Sequence, residues 1–383
     1  MSVYPDDFRY LKDEIKRREH KIQCKICGKW LYTIDNRHLK KHGLNKQEYI
    51  EMYGNENIMS NDTKYKLREN MKKMNDNKDW ERKTSNYEKE IENFLISHNV
   101  KYEKHNREIL NGLELDFLIN DYAIEFNGNK FHTEWFGGKS PQYHLLKTKT
   151  CNLKGIKLLQ IFEDEYKYHK EIVFNKISRI LKLNLNKKKI PGRKCEIKEI
   201  MPFEAQSFLD KNHIQGFINS TVYLGAYFEN ELIAVMSFKQ ESKGEWDLNR
   251  FASNINYSCQ GVGGKIFSYF RKKYSPYKVK SFADRRWTLS SDDNLYIKLG
   301  FRLDKILKPD YRYYNEHVDK FERFHKFNFR KKILHKKYGL PLSMTESEMA
   351  KRLGYDRIWD CGLFKYVWTN PNYEVKTDTV ITD

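Results

Sequence analysis

The chain has 383 residues, 39% of them hydrophobic and 15% aromatic, and a formal net charge of +19. That length and apolar content support two or three domains with real cores, and no apolar run approaches the length of a membrane span. A polar N-terminus without a signal-peptide pattern makes a soluble, cytoplasmic protein the expectation, and a pI of about 9.3 makes a polyanion, nucleic acid first, the expected partner.

In chain order, residues 1–20 are charged and read as a helix preceding a compact unit over 21–54. There Cys24 and Cys27 lie on a turn, and after ten intervening residues His38 and His42 stand at i and i+4 of a helix, on one face. Two thiolates and two imidazoles suit tetrahedral Zn²⁺, and a unit this small needs a metal to fold. His20 is a spare imidazole that competes for one position. The other four cysteines of the six show no framework spacing, as in a reducing compartment. Residues 55–85 read as a polar linker.

Residues 86–185 read as one α/β unit. A helix is predicted over Tyr87–His98 from apolar positions 87, 91, 94 and 95. A β-hairpin follows, with Leu115–Ile119 joined to Tyr122–Gly128 through Asn120-Asp121. Strand alternation puts Ala123, Glu125 and Asn127 on one face and Tyr122, Ile124 and Phe126 on the other. A Gly137-Gly138 loop, a helix from near Pro141 to Gly155, a buried strand Ile156–Phe162 and a helix Lys170–Leu181 complete the unit. Residues 186–194 are a basic linker and 195–368 a second α/β domain, with strands Tyr223–Phe228 and Leu232–Phe238; residues 369–383 are a polar tail expected to be disordered.

The hairpin carries the expected chemistry. Two carboxylates, Asp116 and Glu125, sharing a Mg²⁺ can polarise a scissile phosphate and hold a water for in-line attack, and Mg²⁺ accepts few protein ligands because it keeps several waters. His132 can deprotonate that water near neutral pH. His144 and Lys147, i and i+3 on the next helix, face one way and can contact the phosphate.

Three resemblances sharpen this. Cys24-Lys-Ile-Cys27-Gly through His38-Leu-Lys-Lys-His42-Gly-Leu to Tyr53-Gly54 resembles the zinc finger of Ros/MucR-type regulators, which implies a DNA-contacting module. The stretch from Asp116 through Glu125-Phe-Asn127-Gly, His132 and Lys147 to Glu163-Asp-Glu165 resembles the very-short-patch-repair (Vsr) endonucleases. It is closer still to phage-type homing endonucleases of the EDxHD class, in the PD-(D/E)XK superfamily. That implies Asp116 and Glu125 as metal ligands, His132 as general base and Glu88 as the helix acid, with Glu90 and Glu92 as alternatives. Asn127 stands where the superfamily has a Lys. Leu224–Phe238, the loop Gln260-Gly-Val-Gly-Gly-Lys265 and Asn294–Phe301 resemble the GNAT acyltransferase fold, whose glycine loop cradles a pyrophosphate. Tyr296 falls where that family often has a general acid, and Lys265 where it has a small residue.

The expected whole is multi-domain α/β: a small zinc finger, a Vsr-like core, and a GNAT-like domain that binds DNA, with Arg285-Arg286-Trp287 and the basic, aromatic run Arg323–Lys337 as its surface. The expected function is Mg²⁺-dependent DNA hydrolysis at a specific site, in a bacterial or phage-infected cell. Double-stranded DNA is the expected partner, with a transient dimer on DNA and no small-molecule substrate. The alternatives are a non-catalytic DNA-binding regulator and an acyltransferase with a DNA-targeting finger.

Overall fold

The structure, a computed structural model, describes residues 21–60, 63–66, 85–110, 112–183 and 186–371. The expected N-terminal helix, most of the linker and the tail beyond 371 lie outside them. The chain divides into two compact units, Met1–Lys83 and Thr84–Asp383.

In the first unit a short hairpin, β1 (Ile22–Gln23) and β2 (Trp30–Leu31), precedes α1 (Asn36–Leu39), a 3₁₀ turn over Lys40–His42, and α2 (Lys46–Tyr53). Asp35 caps α1 by accepting from the backbone of His38. Asn45 and Glu48 form a reciprocal capping box at α2. Cys24, Ile34, Leu39, Tyr49 and Ile58 make the small core.

The second unit opens with α3 (Asn86–Ser97) and a four-stranded sheet, β3 (Glu103–Leu110), β4 (Leu113–Ile119), β5 (Tyr122–Asn127) and β6 (Lys157–Phe162), in that order. Asn120 takes the left-handed conformation that a tight turn needs, with φ of 51°. Helices α4 (Tyr143–Leu153) and α5 (Glu163–Ile180) flank β6. β5 and β6 run parallel, aligning Glu125 with Gln160. The alternation of β5 divides as expected: Ile124 and Phe126 enter one core with Ile91 and Tyr166, and Ala123 enters another with Cys151 and Leu158. α5 is longer than the predicted Lys170–Leu181 helix. It joins an acidic first turn to that helix across a kink at His169.

Beyond it lie β7 (Lys189–Pro191), β8 (Glu196–Glu199), α6 (Pro202–Asn212), β9 (Val222–Phe228), β10 (Glu231–Ser242), β11 (Glu245–Ser253), β12 (Ser258–Gln260), α7 (Val262–Tyr274), β13 (Lys278–Asp284), α8 (Leu295–Lys298) and β14 (Arg302–Ile306). The last described strand is β18 (Leu363–Thr369), and a seven-stranded sheet runs β14-β18-β13-β11-β10-β9-β8. The basic stretch 186–194 holds β7, paired parallel with β12, and a turn packed behind the start of α7.

Between β14 and β18 sits an inserted unit: β15 (Tyr311–Tyr314), β16 (Arg323–His325), α9 (Lys331–Tyr338), α10 (Glu346–Arg352) and β17 (Asp356–Trp359). Tyr313, Phe329, Leu334, Leu340, Met349 and Ala350 give it a core of its own. The core beneath α5 also takes in Ile214, Ile255 and Trp287 from the C-terminal region, so α5 is shared by both halves of the unit. No described helix is long and apolar enough to cross a membrane.

Candidate functional site

A large concavity is built where two parallel strands part. β11 and β13 pair only through Glu245–Lys278, Trp246–Val279 and Asp247–Lys280. Past that point their ends separate, and Asn249, Phe251, Ser253, Phe282 and Asp284 line a cavity of about 860 Å³. The start of α7 forms one lip, with Gly261, Val262, Gly263 and Gly264 in its wall. Gly261 is left-handed, with φ of 73°, which lets the chain turn sharply from β12 into the helix. A side chain at Gly263 would stand 3.1 Å from the Phe251 ring, whereas Gly264 faces open space. The first backbone N–H groups of α7 have no partners within the helix, so this lip favours an anion.

α5 forms the opposite wall and contributes Lys176 and Arg179. Arg179 donates to Ser253 Oγ at 3.2 Å. Lys176 lies over the Trp287 ring at 5.1 Å, and burial, with Arg179 beside it, pulls its ammonium down to about 8. Tyr296, on α8, also lines the cavity and stacks on Tyr366 at 4.9 Å. Burial raises its phenol, with Ser281 and Arg250 pulling the other way, so it is protonated at neutral pH. His213 Nδ1 accepts from the Gln215 backbone at 3.1 Å, which puts its neutral-form proton on Nε2 and removes it as a base. The Lys265 side chain turns away from the cavity and donates to the Arg193 carbonyl at 2.7 Å.

The hairpin residues assemble elsewhere, in the four-stranded half. Asp116 Oδ2 accepts from the Phe126 backbone at 2.6 Å. Glu125 and Lys147, both buried, form an ion pair, and Lys147 Nζ also donates to the Glu114 carbonyl at 2.8 Å. Burial, then the Glu125 charge, holds Asp116 well above the usual carboxylate range. Burial also raises Glu125, against the pull of Lys147. Burial alone would lower Lys147, but Glu125 overrides it and the ammonium stays charged.

Of the three helix acids, Glu88 is the one whose charge reaches both Asp116 and Glu125. Ser85 caps α3, its Oγ accepting from the Glu88 backbone at 3.1 Å and donating to the Glu88 carboxylate at 2.8 Å. Glu90 is held by Tyr166 and Lys170, and Glu92 by Tyr102 and Lys104. His132 Nδ1 lies 2.8 Å from His144 Nε2. Burial drives His132 down to about 3 and His144 well below its usual value, so both are neutral. Asn127 donates to Gln160 at 3.3 Å, and Gln160 donates to the His144 carbonyl at 2.8 Å. In this cluster Glu125, Asn127, His144, Lys147 and Gln160 are buried and Asp116 and His132 half-buried, and the Lys147 ammonium pairs with the Glu125 carboxylate.

In the first unit Cys24, Cys27, His38 and His42 converge, with one ligand atom from each inside a span of 4.8 Å. His38 Nε2 lies 3.5 Å from Cys27 Sγ and 3.2 Å from His42 Nε2. Burial would raise the Cys24 thiol, but hydrogen bonds, led by those from the Cys27 and Ile26 backbones, bring it below its ordinary value. Among the described residues this is the one group of His, Cys, Asp and Glu side chains whose geometry suits a metal.

No protein-family model and no curated protein matches the chain. Solved structures similar to it are acetyltransferases. A GNAT family acetyltransferase of Elizabethkingia anophelis with acetyl-CoA bound is 16% identical; it covers 46% of this chain and 99% of its own, with a TM-score of 0.27. A Bacillus subtilis acetyltransferase in complex with CoA is 11% identical, covering 46% and 99%, with a TM-score of 0.27. The ribosomal-protein-S18-alanine N-acetyltransferase of Escherichia coli is 11% identical, covering 47% and 99%, with a TM-score of 0.28.

The expected endonuclease is corrected on these findings. The similar structures are acetyltransferases rather than Vsr, EDxHD or PD-(D/E)XK nucleases, and nothing supports a homing or phage origin. The expected Mg²⁺ is corrected with it, and the expected Zn²⁺ is cut back to the geometry of the Cys/His cluster. Asp116 and Glu125 belong to no group of three or more His, Cys, Asp and Glu ligands among the described residues, and Lys147 pairs with Glu125. The Ros/MucR-like finger is reduced to a Cys/His cluster of suitable geometry. What stands is a mixed α/β chain of several sheets.

Proposed function

We propose that the chain is an acyltransferase-type protein whose cavity takes a CoA-type thioester. The observation that carries this reading is the parting of β11 and β13 with the Gly261–Gly264 helix start at the mouth of the gap. Two parallel strands that stop pairing leave backbone groups able to bond a pantetheine-like amide chain, since buried N–H and C=O groups need partners. The α7 lip meets the pyrophosphate, with Arg179 of the same cavity adding a charge-assisted donor. In the transfer, an acceptor amine attacks the thioester carbonyl, the C–N bond forms and the C–S bond breaks. Tyr296 gives its phenolic proton to the departing thiolate and is reprotonated from solvent, which takes the proton of the amine.

Calorimetry with acetyl-CoA tests the reading. Micromolar to submillimolar binding is expected in the wild type. Gly263→Val, which drives a side chain toward Phe251, is expected to lose at least tenfold. Tyr296→Phe should bind normally and fail in thiol release when acceptor amines are supplied. An absence of acetyl-CoA binding at millimolar concentration ends the proposal.

For the site residues Cys24, Cys27, His38 and His42, we propose ligation of one tetrahedral metal ion, carried by the convergence of their four ligand atoms.

A further inference from the structure

The inserted unit presents a helix that does little for its own fold. α9 buries one residue, Leu334, and exposes the other seven. Those seven include Lys331, Lys332, His335, Lys336 and Lys337, with Arg330 just before them and no acid among them. At 100° per residue, Lys332 and Lys336 point directly away from the Leu334 stripe. Lys331 and His335 fall on one flank, and Ile333 and Lys337 on the other. Among the described contacts Lys332 and Lys336 make no ion pair. Lys337 rests over the Tyr338 ring at 5.0 Å, and Arg330 stacks on the exposed Phe327 ring at 4.2 Å. The nearest carboxylates are engaged: Glu348, which feels Lys331, caps α10 through Thr345, and Asp310 binds Lys326.

A basic stripe on one side of a helix fits a flat anionic surface. Here the cations wrap three sides and leave only the buried stripe bare, so the helix suits a site with anions on both flanks. A helix about 10–12 Å across with its side chains matches the roughly 12 Å major groove of double-stranded DNA, whose walls are two rows of phosphates. We propose that α9 docks in the groove of a DNA duplex, with Lys332 and Lys336 toward its floor and Lys331 and Lys337 toward the two backbones. The helix is held firmly enough to serve: its unit has its own core, and Arg323 ties that unit to Asp164 at 2.7 Å.

The test is fluorescence anisotropy of the full chain with a labelled 20-base-pair duplex across a salt series. Each phosphate contact contributes a slope of about 0.9 in log affinity against log salt, so Lys331→Gln/Lys337→Gln should lower the slope by nearly 2. Lys332→Gln/Lys336→Gln should weaken binding at least tenfold, and the corresponding Arg double variant should restore it. Lys211→Gln/Lys272→Gln, which removes the same charge from exposed positions on other helices, should leave affinity within threefold. Far-UV circular dichroism and thermal melting should be unchanged in all of them. Equal losses in the α9 and control variants would reduce the effect to overall charge and overturn the proposal. So would dependence on the α9 lysines confined to single-stranded DNA or to vesicles rich in phosphatidylserine.

Discussion

Glu125 and Lys147 show how much a single buried pair can weigh. Each alone would be an unpaired charge inside the four-stranded half, and removing one partner of a buried ion pair costs about 3–5 kcal/mol. Lys147→Met should therefore lower the urea unfolding free energy by about that amount. Lys147→Met/Glu125→Gln should recover more than half, because it leaves no orphan charge; a double variant as unstable as the single would show that shape, not charge, sets the cost. The histidines beside the pair give a pH dependence whose sign follows from burial. Their folded pKa values lie below the ordinary value, with His132 at about 3, so below pH of about 6.5 the unfolded chain binds more protons. The stability they provide is complete above that pH and is lost on acidification, at up to about 1.4 kcal/mol per pH unit for each imidazole. Asp116, raised by burial and by Glu125, works the opposite way, losing stability as pH rises through its folded value. A His132→Asn/His144→Gln variant isolates the histidine part. Between pH 4 and 6.5 its stability should fall less steeply on acidification than that of the wild type, measured by denaturant titration at each pH, and parallel profiles would contradict the assignment.

At the scale of elements, the start of α7 depends on a glycine seventy residues earlier. A side chain on Gly192 would lie 2.5 Å from the Val262 nitrogen and 2.7 Å from the Gly261 carbonyl carbon, both backbone, so the helix start would have to move. Gly192→Ala should cost about 1–3 kcal/mol of stability and at least tenfold in acetyl-CoA affinity. Gly264→Ala, which meets nothing within 4 Å, should keep the fold's stability or raise it by up to about 1 kcal/mol. Melting curves and calorimetry on the two variants separate them. Elements with strong local signals were legible in the sequence: the β4–β5 hairpin by alternation about Asn120-Asp121, α3 by its apolar spacing, and the glycine loop at α7. Asp116, Glu125, His132, His144 and Lys147 were also picked out, but their partners were not, because the ion pair that fills the acid site joins a strand to a helix 22 residues away. Lys176 and Arg179 were not picked out, because nothing local distinguishes a lysine facing water from one facing a cavity. The inserted unit escaped for a related reason: strands of three or four residues carry too few alternations to register.

On the scale of the whole molecule, two ways of holding a fold together coexist. The second unit uses large cores and a buried charge network, in which Glu165 accepts from Arg286 at 2.8 and 2.7 Å and pairs with Arg323 at 3.3 Å. The first unit has a core of five fully buried apolar residues and no comparable network among its described residues. A core that small does not offset the conformational entropy of some forty ordered residues, at about 1–2 kcal/mol each for the backbone alone. An ion on Cys24, Cys27, His38 and His42 would tie the β1–β2 turn to α1 and the turn after it, and would make metal binding and folding of this unit one event. Chelation should therefore unfold residues 21–60. Hydrogen exchange read by mass spectrometry should show protection lost at Leu39 and Tyr49 and kept at Ile124 and Phe267, and one equivalent of Zn²⁺ or Co²⁺ should restore it. Co²⁺ should also bring the visible absorption of a tetrahedral thiolate site, which Cys24→Ser would weaken and shift. Protection over 21–60 that is unchanged once metal falls below 0.05 equivalents would mean that the four side chains converge for packing alone.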